Sequence, residues 1–386
     1  MQDTNSIHNM GFRKHLKKAA SAVVSSPIQI DFAKGGGRTI QQVAPYPKEV
    51  FWDSTVPIYT TEHGVDYVRT PEERFDNLPG YQFTANYLEI DGLRMHYLDE
   101  GPKDGELILL LHGQPVWSYL YRKMIPILTA HGYRCVAPDM IGMGKSDKPI
   151  KETFHTYDRH CELILSFIQQ LGLQDITAFV QDWGSLIGLR LIGENPDLFA
   201  RVVCANGDLP LMTEETNPLY IPNPLEVNPK IKTVKSIAKY WLKGLPDMFQ
   251  AWVLFCLQNS NNFIGETMQN STEIKLSDAE LKAYEAPFPS FIYMAGPRTL
   301  PSMNVGIIGQ QLSAWESFKS FEKPFISFIG LKDPLLGRRS IQDKWINVVP
   351  GAKGQAHDQF DNANHFIQDD IGEIMAERVN EFIVKN

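Results

Sequence analysis

From Tyr87 to Asn206, and again from Phe325, short apolar runs alternate with longer segments in which apolar residues recur at helical spacing. Short apolar runs are typical of strands buried on both faces, and the periodic segments are typical of helices that cover them. Strands are predicted at 107–111, 134–137, 176–180, 201–205 and 325–329, and helices at 118–130, 157–171 and 185–195. The alternation predicts an α/β fold with a mostly parallel sheet flanked by helices.

The alternation stops after Asn206, where a segment rich in proline, asparagine and helical patterns begins. At roughly 150 residues per domain, a chain of 386 residues holds two domains or one domain with an insertion. We therefore expect a core domain made of residues 67–206 and 295–386, with residues 207–294 inserted as a helical cap. Residues 1–66 form an N-terminal arm whose structure the pattern does not indicate.

The charge of the arm differs from that of the rest. The whole chain has 37 Lys and Arg against 45 Asp and Glu, a net charge of −8. This balance gives no basic surface for a nucleic acid, which is not an expected partner. Residues 1–39 instead carry six basic and two acidic side chains, and a short basic amphipathic helix is predicted at 12–23. The arm is either solvated or contacts a membrane surface or a partner.

Four cysteines, at positions 135, 161, 204 and 256, are widely spaced and contain no Cys-x-x-Cys pair. Their spacing indicates neither a zinc site nor a disulfide framework, and buried thiols are expected. No apolar stretch approaches the roughly 20 residues that cross a bilayer, and the run at 19–24 is too short for a signal peptide. We expect a cytoplasmic protein, with the periplasm as the alternative.

The segment Val-Gln-Asp-Trp-Gly at 180–184 lies where a predicted strand meets a predicted helix. This is the setting of a nucleophile elbow, a tight turn that raises its central side chain above the sheet. Asp182 occupies the position of the usual serine. A carboxylate is already anionic at neutral pH, so it can attack a saturated carbon without a base and form an ester. The alternative is that Asp182 only caps the following helix.

Two further residues favour the catalytic interpretation. Asp333 follows the strand at 325–329, and His365 lies in a loop before the C-terminal helix. Nucleophile, acid and histidine thus occur in the chain order of one known α/β architecture. Strand ends that meet loops are also where open α/β sheets carry their catalytic groups.

A glycine turn, His-Gly-Gln-Pro, directly follows the strand at 107–111. Such a turn can aim the backbone N–H of Gln114 at the nucleophile, with the N–H of Trp183 as the second donor of an oxyanion hole. For His112, in the same turn, we favour a buried structural role.

Together these segments resemble the haloalkane dehalogenases, a family of the α/β-hydrolase fold. The motifs are HGQPVWSYLYRKMIP at 112–126, QDWG at 181–184, KDPLLG at 332–337, HF at 365–366 and APFP at 286–289. Matching character extends from about residue 67 to the end of the chain. Epoxide hydrolases share single motifs, whereas the set is specific to the dehalogenases.

The resemblance implies that Asp182 is the nucleophile, His365 the base that activates water, and Asp333 the acid that orients the histidine. It implies no metal and no organic cofactor. The partners it implies are a small apolar halogenated substrate, water and the halide product.

For the halide, the resemblance implies two indole N–H donors. Trp183 is the first. The closest branch of the family takes its second donor from the cap, and the setting Phe-Gln-Ala-Trp at 249–252 favours Trp252 over Trp241. Indole N–H groups suit a departing halide because they are neutral, fixed in direction and set in apolar rings that exclude water.

Two positions depart from the family pattern. Gln114 stands where the branch with the cap tryptophan has an acidic residue, which changes the surroundings of the hydrolytic water. Asn206 stands where the other branch has its acid, and this supports Asp333, with Asp208 as a reserve.

The sequence therefore predicts an enzyme that converts an apolar haloalkane to the alcohol and a halide through an aspartyl ester. The main alternative is an epoxide hydrolase, which uses the same three residues but protonates the epoxide oxygen with cap tyrosines. Its candidate tyrosines are Tyr220, Tyr240, Tyr284 and Tyr293. A non-catalytic binding protein of the same fold is a further alternative, although such proteins have usually lost a member of the triad.

Overall fold

The computed structural model describes residues 55–210, 233–241, 245–259, 262–303, 307 and 310–386, together with two short strands nearer the N-terminus. The basic helix predicted at 12–23 lies outside the described residues. The same holds for Tyr220 and for the side chain of Trp241.

The sheets are built from short strands. In chain order they are β1 (Ile28–Asp31), β2 (Thr39–Gln42), β3 (Tyr59–Thr60), β4 (Asp66–Val68), β5 (Asn86–Ile90), β6 (Leu93–Glu100), β7 (Leu107–Leu111), β8 (Arg134–Pro138), β9 (Lys148–Pro149), β10 (Ile176–Val180), β11 (Phe199–Ala205), β12 (Phe325–Gly330) and β13 (Asp358–Phe360). Within the described residues, eight of them form the largest sheet, in the order β13-β12-β11-β10-β7-β8-β6-β5. Small antiparallel sheets are formed by β1-β2 and by β3-β4-β9.

The large sheet is parallel from β8 to β13, and only β6 and β5 pair antiparallel at its other edge. The central strands β7 and β10 are buried at every position, as expected where helices cover both faces of a parallel sheet. The predicted α/β fold, with a mostly parallel sheet flanked by helices, is confirmed. Because parallel strands end at one edge, the loops after β7, β10, β11 and β12 are brought together.

The α-helices of the described chain follow most of the predicted bounds. They are α1 (Ile125–Ala130), α2 (Tyr157–Gln170), α3 (Trp183–Glu194), α4 (Val234–Trp241), α5 (Leu245–Gln258), α6 (Ile264–Asn270), α7 (Asp278–Glu285), α8 (Ala295–Met303), α9 (Leu312–Phe318), α10 (Arg339–Val348) and α11 (Ile367–Lys385). The single helix predicted at 118–130 is wrong. Its first part is a 3₁₀ turn at Ser118–Tyr121, and α1 begins only at Ile125. Pro126 explains the break, because proline fits the first turn of a helix but not its interior.

Helices α4 to α7 lie in the chain between β11 and β12, and α7 is joined to the core by buried polar contacts. Arg122 contacts Glu280 at 2.8 Å and Asp369 at 2.7 Å. The hydroxyl of Tyr284 also donates to Asp369, at 2.5 Å. Buried charges are held in place when they are paired and hydrogen-bonded in this way. Within the described chain, no helix is both long and apolar enough to cross a membrane.

Candidate active site

Asp182 lies in a sharp turn between β10 and α3, with φ 49° and ψ −123°. The turn depends on close approach of backbone segments at two glycines. A Cβ on Gly184 would lie 2.1 Å from the carbonyl oxygen of Leu111, and one on Gly113 would lie 2.4 Å from the Cβ of Asp182. The side chain of Asp182 makes no capping hydrogen bond to α3. The alternative in which Asp182 only caps this helix is therefore wrong.

The structure brings the side chains of Asp333 and His365 close to Asp182. His365 Nε2 is 3.6 Å from Asp182 Oδ2, and His365 Nδ1 is 2.8 Å from Asp333 Oδ2. The other oxygen of Asp333 accepts the backbone N–H groups of Leu335 and Leu336 at 2.8 and 3.1 Å. The acid is thus fixed by the turn after β12, and the imidazole lies between two carboxylates.

The charges in the site act on one another. Burial lowers the pKa of His365, but the carboxylates of Asp333 and Asp182 outweigh burial and raise the pKa to about 9. Burial raises the pKa of Asp182, and His365 together with two backbone N–H groups opposes this rise. The two carboxylates thus favour the protonated form of the His365 ring in the resting site. Esterification of Asp182 removes one of the charges that raise the pKa of His365, so the ring then gives up its proton more readily.

Backbone donors point at the carboxylate of Asp182. The N–H of Gln114 donates to Asp182 Oδ1 at 2.7 Å, and the nearby N–H of Trp183 also opposes the rise in the pKa of this carboxylate. His112 is fully buried, and its ring bonds the carbonyl oxygen of Gly113 at 2.8 Å and the N–H of Met140 at 3.0 Å. His112 thus holds the turn that supplies the first donor, which fits the structural role expected for it.

A cavity of about 130 Å³ opens next to Asp182. Its apolar wall includes Leu186, Pro210, Val234, Ile237, Met248, Phe249, Leu335, Leu336 and Phe366, and its polar lining includes Asp208, Thr267, Ser271, Arg338 and Asn364. Both Trp183 and Trp252 line the cavity. Trp252 stacks on Phe255 with ring centroids 5.6 Å apart, which restrains its indole.

The described tyrosines that an epoxide hydrolase would need do not line this cavity. Tyr284 is fully buried, and its hydroxyl is bound to Asp369. Tyr240 and Tyr293 are likewise absent from the cavity lining. Among the residues described, no group of three or more His, Cys, Asp or Glu side chains is placed to hold a metal ion.

The contribution of Asn206 is not evident from the sequence. It is fully buried at the end of β11 with φ 38°. Its amide donates to the carbonyl oxygen of Asn364 at 2.7 Å and accepts the N–H of Gly330 at 2.7 Å. Its own carbonyl oxygen accepts the N–H of Asp182 at 3.1 Å. Asn206 therefore joins the nucleophile turn, the histidine loop and the strand that precedes the acid. The sequence indicates this position only because the other branch of the family has its acid there, and it does not indicate these contacts.

Two further polar side chains lie at the site, Gln181 beside the loop that carries His365 and Asp208 in the lining of the cavity. Gln181 is fully buried and donates to the carbonyl oxygen of His365 at 3.2 Å. Asp208, the reserve acid, forms an ion pair with Lys344. The structure thus places Asp333, and not Asp208, in hydrogen-bond contact with the histidine ring.

The site can be compared with known proteins. A family model described as the alpha/beta hydrolase fold matches residues 106–370. A haloalkane dehalogenase from Mycobacterium marinum is 42% identical over 325 residues, which are 82% of this chain and 99% of that protein. One from Psychrobacter cryohalolentis is 41% identical over 331 residues, 83% of this chain and 98% of that protein. The solved structure of a tetrameric haloalkane dehalogenase from Paraglaciecola agarilytica has a TM-score of 0.66 at 29% identity, covering 81% of this chain and 97% of that one.

Proposed function

This chain belongs to the haloalkane dehalogenases, hydrolases that act on carbon–halide bonds, and we propose that Asp182, His365 and Asp333 are its catalytic triad. The family predicted from the sequence motifs is thereby confirmed. One observation carries the assignment. The carboxylate of Asp182 lies beside the cavity, accepts a backbone donor at 2.7 Å, and faces a histidine that a second carboxylate holds at 2.8 Å.

In the first step, an oxygen of Asp182 attacks the carbon that bears the halogen. The new carbon–oxygen bond forms as the carbon–halogen bond breaks, and the halide leaves with the bonding electrons. Trp183 and Trp252 supply N–H donors to the departing halide from the cavity wall. The apolar lining favours an apolar substrate, and holding it against the nucleophile converts a bimolecular reaction into an effectively unimolecular one.

In the second step, water attacks the carboxyl carbon of the Asp182 ester. His365 takes a proton from the water, and Asp333 stabilises the imidazolium that forms. Negative charge develops on the oxygen that faces the backbone donors of Gln114 and Trp183. Cleavage of the ester then frees the alcohol, which takes the proton from His365. The carboxyl group left on Asp182 still carries the second proton of the water, and its loss through His365 to solvent restores the carboxylate.

Replacement of Trp252 by phenylalanine should weaken halide binding and slow dehalogenation by about tenfold or more. A buried hydrogen bond to a charged group contributes about 1.5–3 kcal/mol, and each 1.4 kcal/mol is about tenfold in affinity. Saturable quenching of tryptophan fluorescence by bromide measures the binding. Trp241→Phe is the control, with little change expected. Strong weakening by Trp241→Phe and none by Trp252→Phe would move the second halide donor to Trp241.

For the domains, we propose the core and the inserted cap with the bounds expected from the sequence, and an arm that is dispensable for chemistry. The structure supports a shorter dispensable part than residues 1–66. Strand β3 pairs with β4, Tyr59 stacks on Tyr67 at 5.5 Å, and β4 pairs with β9. Removal should therefore stop before Thr55.

A chain that begins at Thr55 should fold and keep its turnover number for a small bromoalkane within about threefold. The reason is that every residue assigned to the site lies beyond position 110, so the chemistry does not depend on the arm. Circular dichroism and steady-state kinetics on the shortened chain measure this. Loss of folding, or a folded but inactive product, would show that the arm contributes to the core or to the cavity.

We also propose a cytoplasmic location, with a weak surface or partner contact through the basic arm. Four buried free thiols support this location, since they fit a reducing compartment. Cell fractionation tests the compartment. Co-sedimentation with anionic vesicles tests the contact made by the arm. The full chain should bind the vesicles more than the shortened chain does, and only at low salt.

A further inference from the structure

The side chain of Gln114 is buried where three parts of the fold meet. Its backbone N–H donates to Asp182 Oδ1 at 2.7 Å. Its side-chain Nε2 donates to the carbonyl oxygen of Pro297 at 2.7 Å and to the sulfur of Cys256 at 3.7 Å. Pro297 lies in α8, and Cys256 lies in α5, four residues after Trp252. One residue thus contacts Asp182, helix α5, which lines the cavity, and helix α8.

We propose that Gln114 is a positioning residue that couples the oxyanion donor to helices α5 and α8. This proposal rests on the proposed function, because it concerns how the backbone N–H of Gln114 is oriented towards Asp182 in that reaction. The amide and the backbone N–H belong to one residue, so the peptide cannot turn away from Asp182 while both side-chain bonds hold. Residues four apart lie on the same face of a helix. The contact to Cys256 therefore also restrains the position of Trp252 along the cavity wall.

The contacts of Gln114 require a donor at this position. The carbonyl oxygen of Pro297 only accepts, so an ionised carboxylate in place of the amide would face it with no proton to share. A glutamate at this position keeps the bond only while it is protonated. Gln114→Glu consequently turns a fixed contact into one that pH controls.

The titratable and charged groups around this position come from each neighbouring element. They are Asp182 from the elbow, His365 from its loop, Cys256 from α5 and Arg298 from α8. Cys256 stays neutral, since burial raises the pKa of its thiol well above the ordinary value. Arg298 is paired with Glu152 at 2.7 Å. Asp182 and His365 therefore remain as the charges that a glutamate at position 114 would meet.

Gln114→Met and Gln114→Glu test the coupling in the full chain. The readouts are the single-turnover rate of ester hydrolysis with 1,2-dibromoethane and the quenching of tryptophan fluorescence by bromide. Each rate is divided by that of the native protein at the same pH, so that the pH dependence shared by the two proteins cancels. Gln114→Met should lower the ratio roughly tenfold to a hundredfold at every pH, somewhat less than loss of a whole oxyanion donor, and should weaken bromide binding. For Gln114→Glu, the ratio should be near one at low pH and should fall as the pH rises.

A matched control removes the same kind of donor elsewhere. Gln342 is buried and donates to the carbonyl oxygens of Ser327 and Asp358 at 2.9 and 3.1 Å. Gln342→Met should lower the melting temperature but leave the ratio of hydrolysis rates near one and bromide binding unchanged. If Gln114→Met fails to fold, Gln114→Leu takes its place in the same comparison, because leucine also lacks a donor and carries no charge.

Two results would overturn the coupling. A native ratio in Gln114→Met, with a pH-dependent fall in Gln114→Glu, would mean that only charge beside Asp182 matters. A flat, native ratio in both variants would mean that the amide has no part in positioning. Failure of the proposed function is distinguishable from either, because the native protein itself would then form no ester on Asp182.

Discussion

Replacement of Asp182 by asparagine is expected to stop bromide release from 1,2-dibromoethane, with kcat lower by at least roughly 10⁴-fold, the scale found when a member of a catalytic triad is removed. The amide oxygen can still accept the N–H of Gln114, which reaches this side chain at 2.7 Å. Asparagine also tolerates the positive φ of the elbow. The fold should therefore survive, whereas a neutral amide is a far poorer nucleophile than a carboxylate.

Bromide release by freshly purified protein and the melting temperature together check this expectation. The control is the same substitution at Asp343, an exposed residue of α10, which should leave both values unchanged. A variant at position 182 that folds and retains turnover within tenfold of the native value would show that another group attacks the substrate.

Replacement of Asp333 by asparagine is expected to slow ester hydrolysis by roughly 10³- to 10⁴-fold. The carboxylate accepts the Nδ1–H of His365 at 2.8 Å. When the ring is neutral, Nε2, 3.6 Å from Asp182, therefore carries no proton and can act as the base. An amide N–H in its place would favour the opposite tautomer, in which Nε2 carries the proton and cannot accept one from water.

The same substitution should move the pH profile in a defined direction. The carboxylate of Asp333 helps to raise the pKa of His365 to about 9 in the native protein, so its loss lowers that pKa. Ester hydrolysis requires the neutral ring. The fall in rate on the acid side should therefore shift to lower pH, while the plateau at high pH is lower than in the native protein.

Single-turnover decay of the ester across pH, followed in Asp333→Asn and in Asp208→Asn, tests the choice of acid. Asp208 is bound by Lys344, so Asp208→Asn should slow hydrolysis less than tenfold and leave the profile in place. A larger loss in Asp208→Asn than in Asp333→Asn would make Asp208 the acid.

The strands were predictable because of where they lie. The central strands β7 and β10 are buried on both faces, so their sequences are nearly continuous apolar runs with bounds visible in the chain. The elbow is equally local, since strand, turn and helix are consecutive. The helix predicted at 118–130 is wrong for a local reason as well, because Pro126 fits only the first turn of a helix and α1 therefore begins at Ile125.

The hydrogen bonds that Asn206 and Gln114 make around the site could not be predicted in the same way. Asn206 acts on a loop 158 positions away, and the side chain of Gln114 bonds residues 142 and 183 positions away. No periodicity or motif records such pairs, because they depend on how the sheet edge brings distant loops together. The sequence indicates Gln114 as a backbone donor and as a departure from the family pattern, whereas the partners of its side chain are visible only in the structure.

The most direct test of the mechanism is the mass of the His365→Phe variant after reaction with 1,2-dibromoethane. Without the base the first step proceeds and the second stops, so each chain should release one bromide and retain one bromoethyl group. Peptide mapping should place that group on Asp182. An unmodified chain, continued turnover, or a bromoethyl group on any other residue would contradict nucleophilic attack by Asp182.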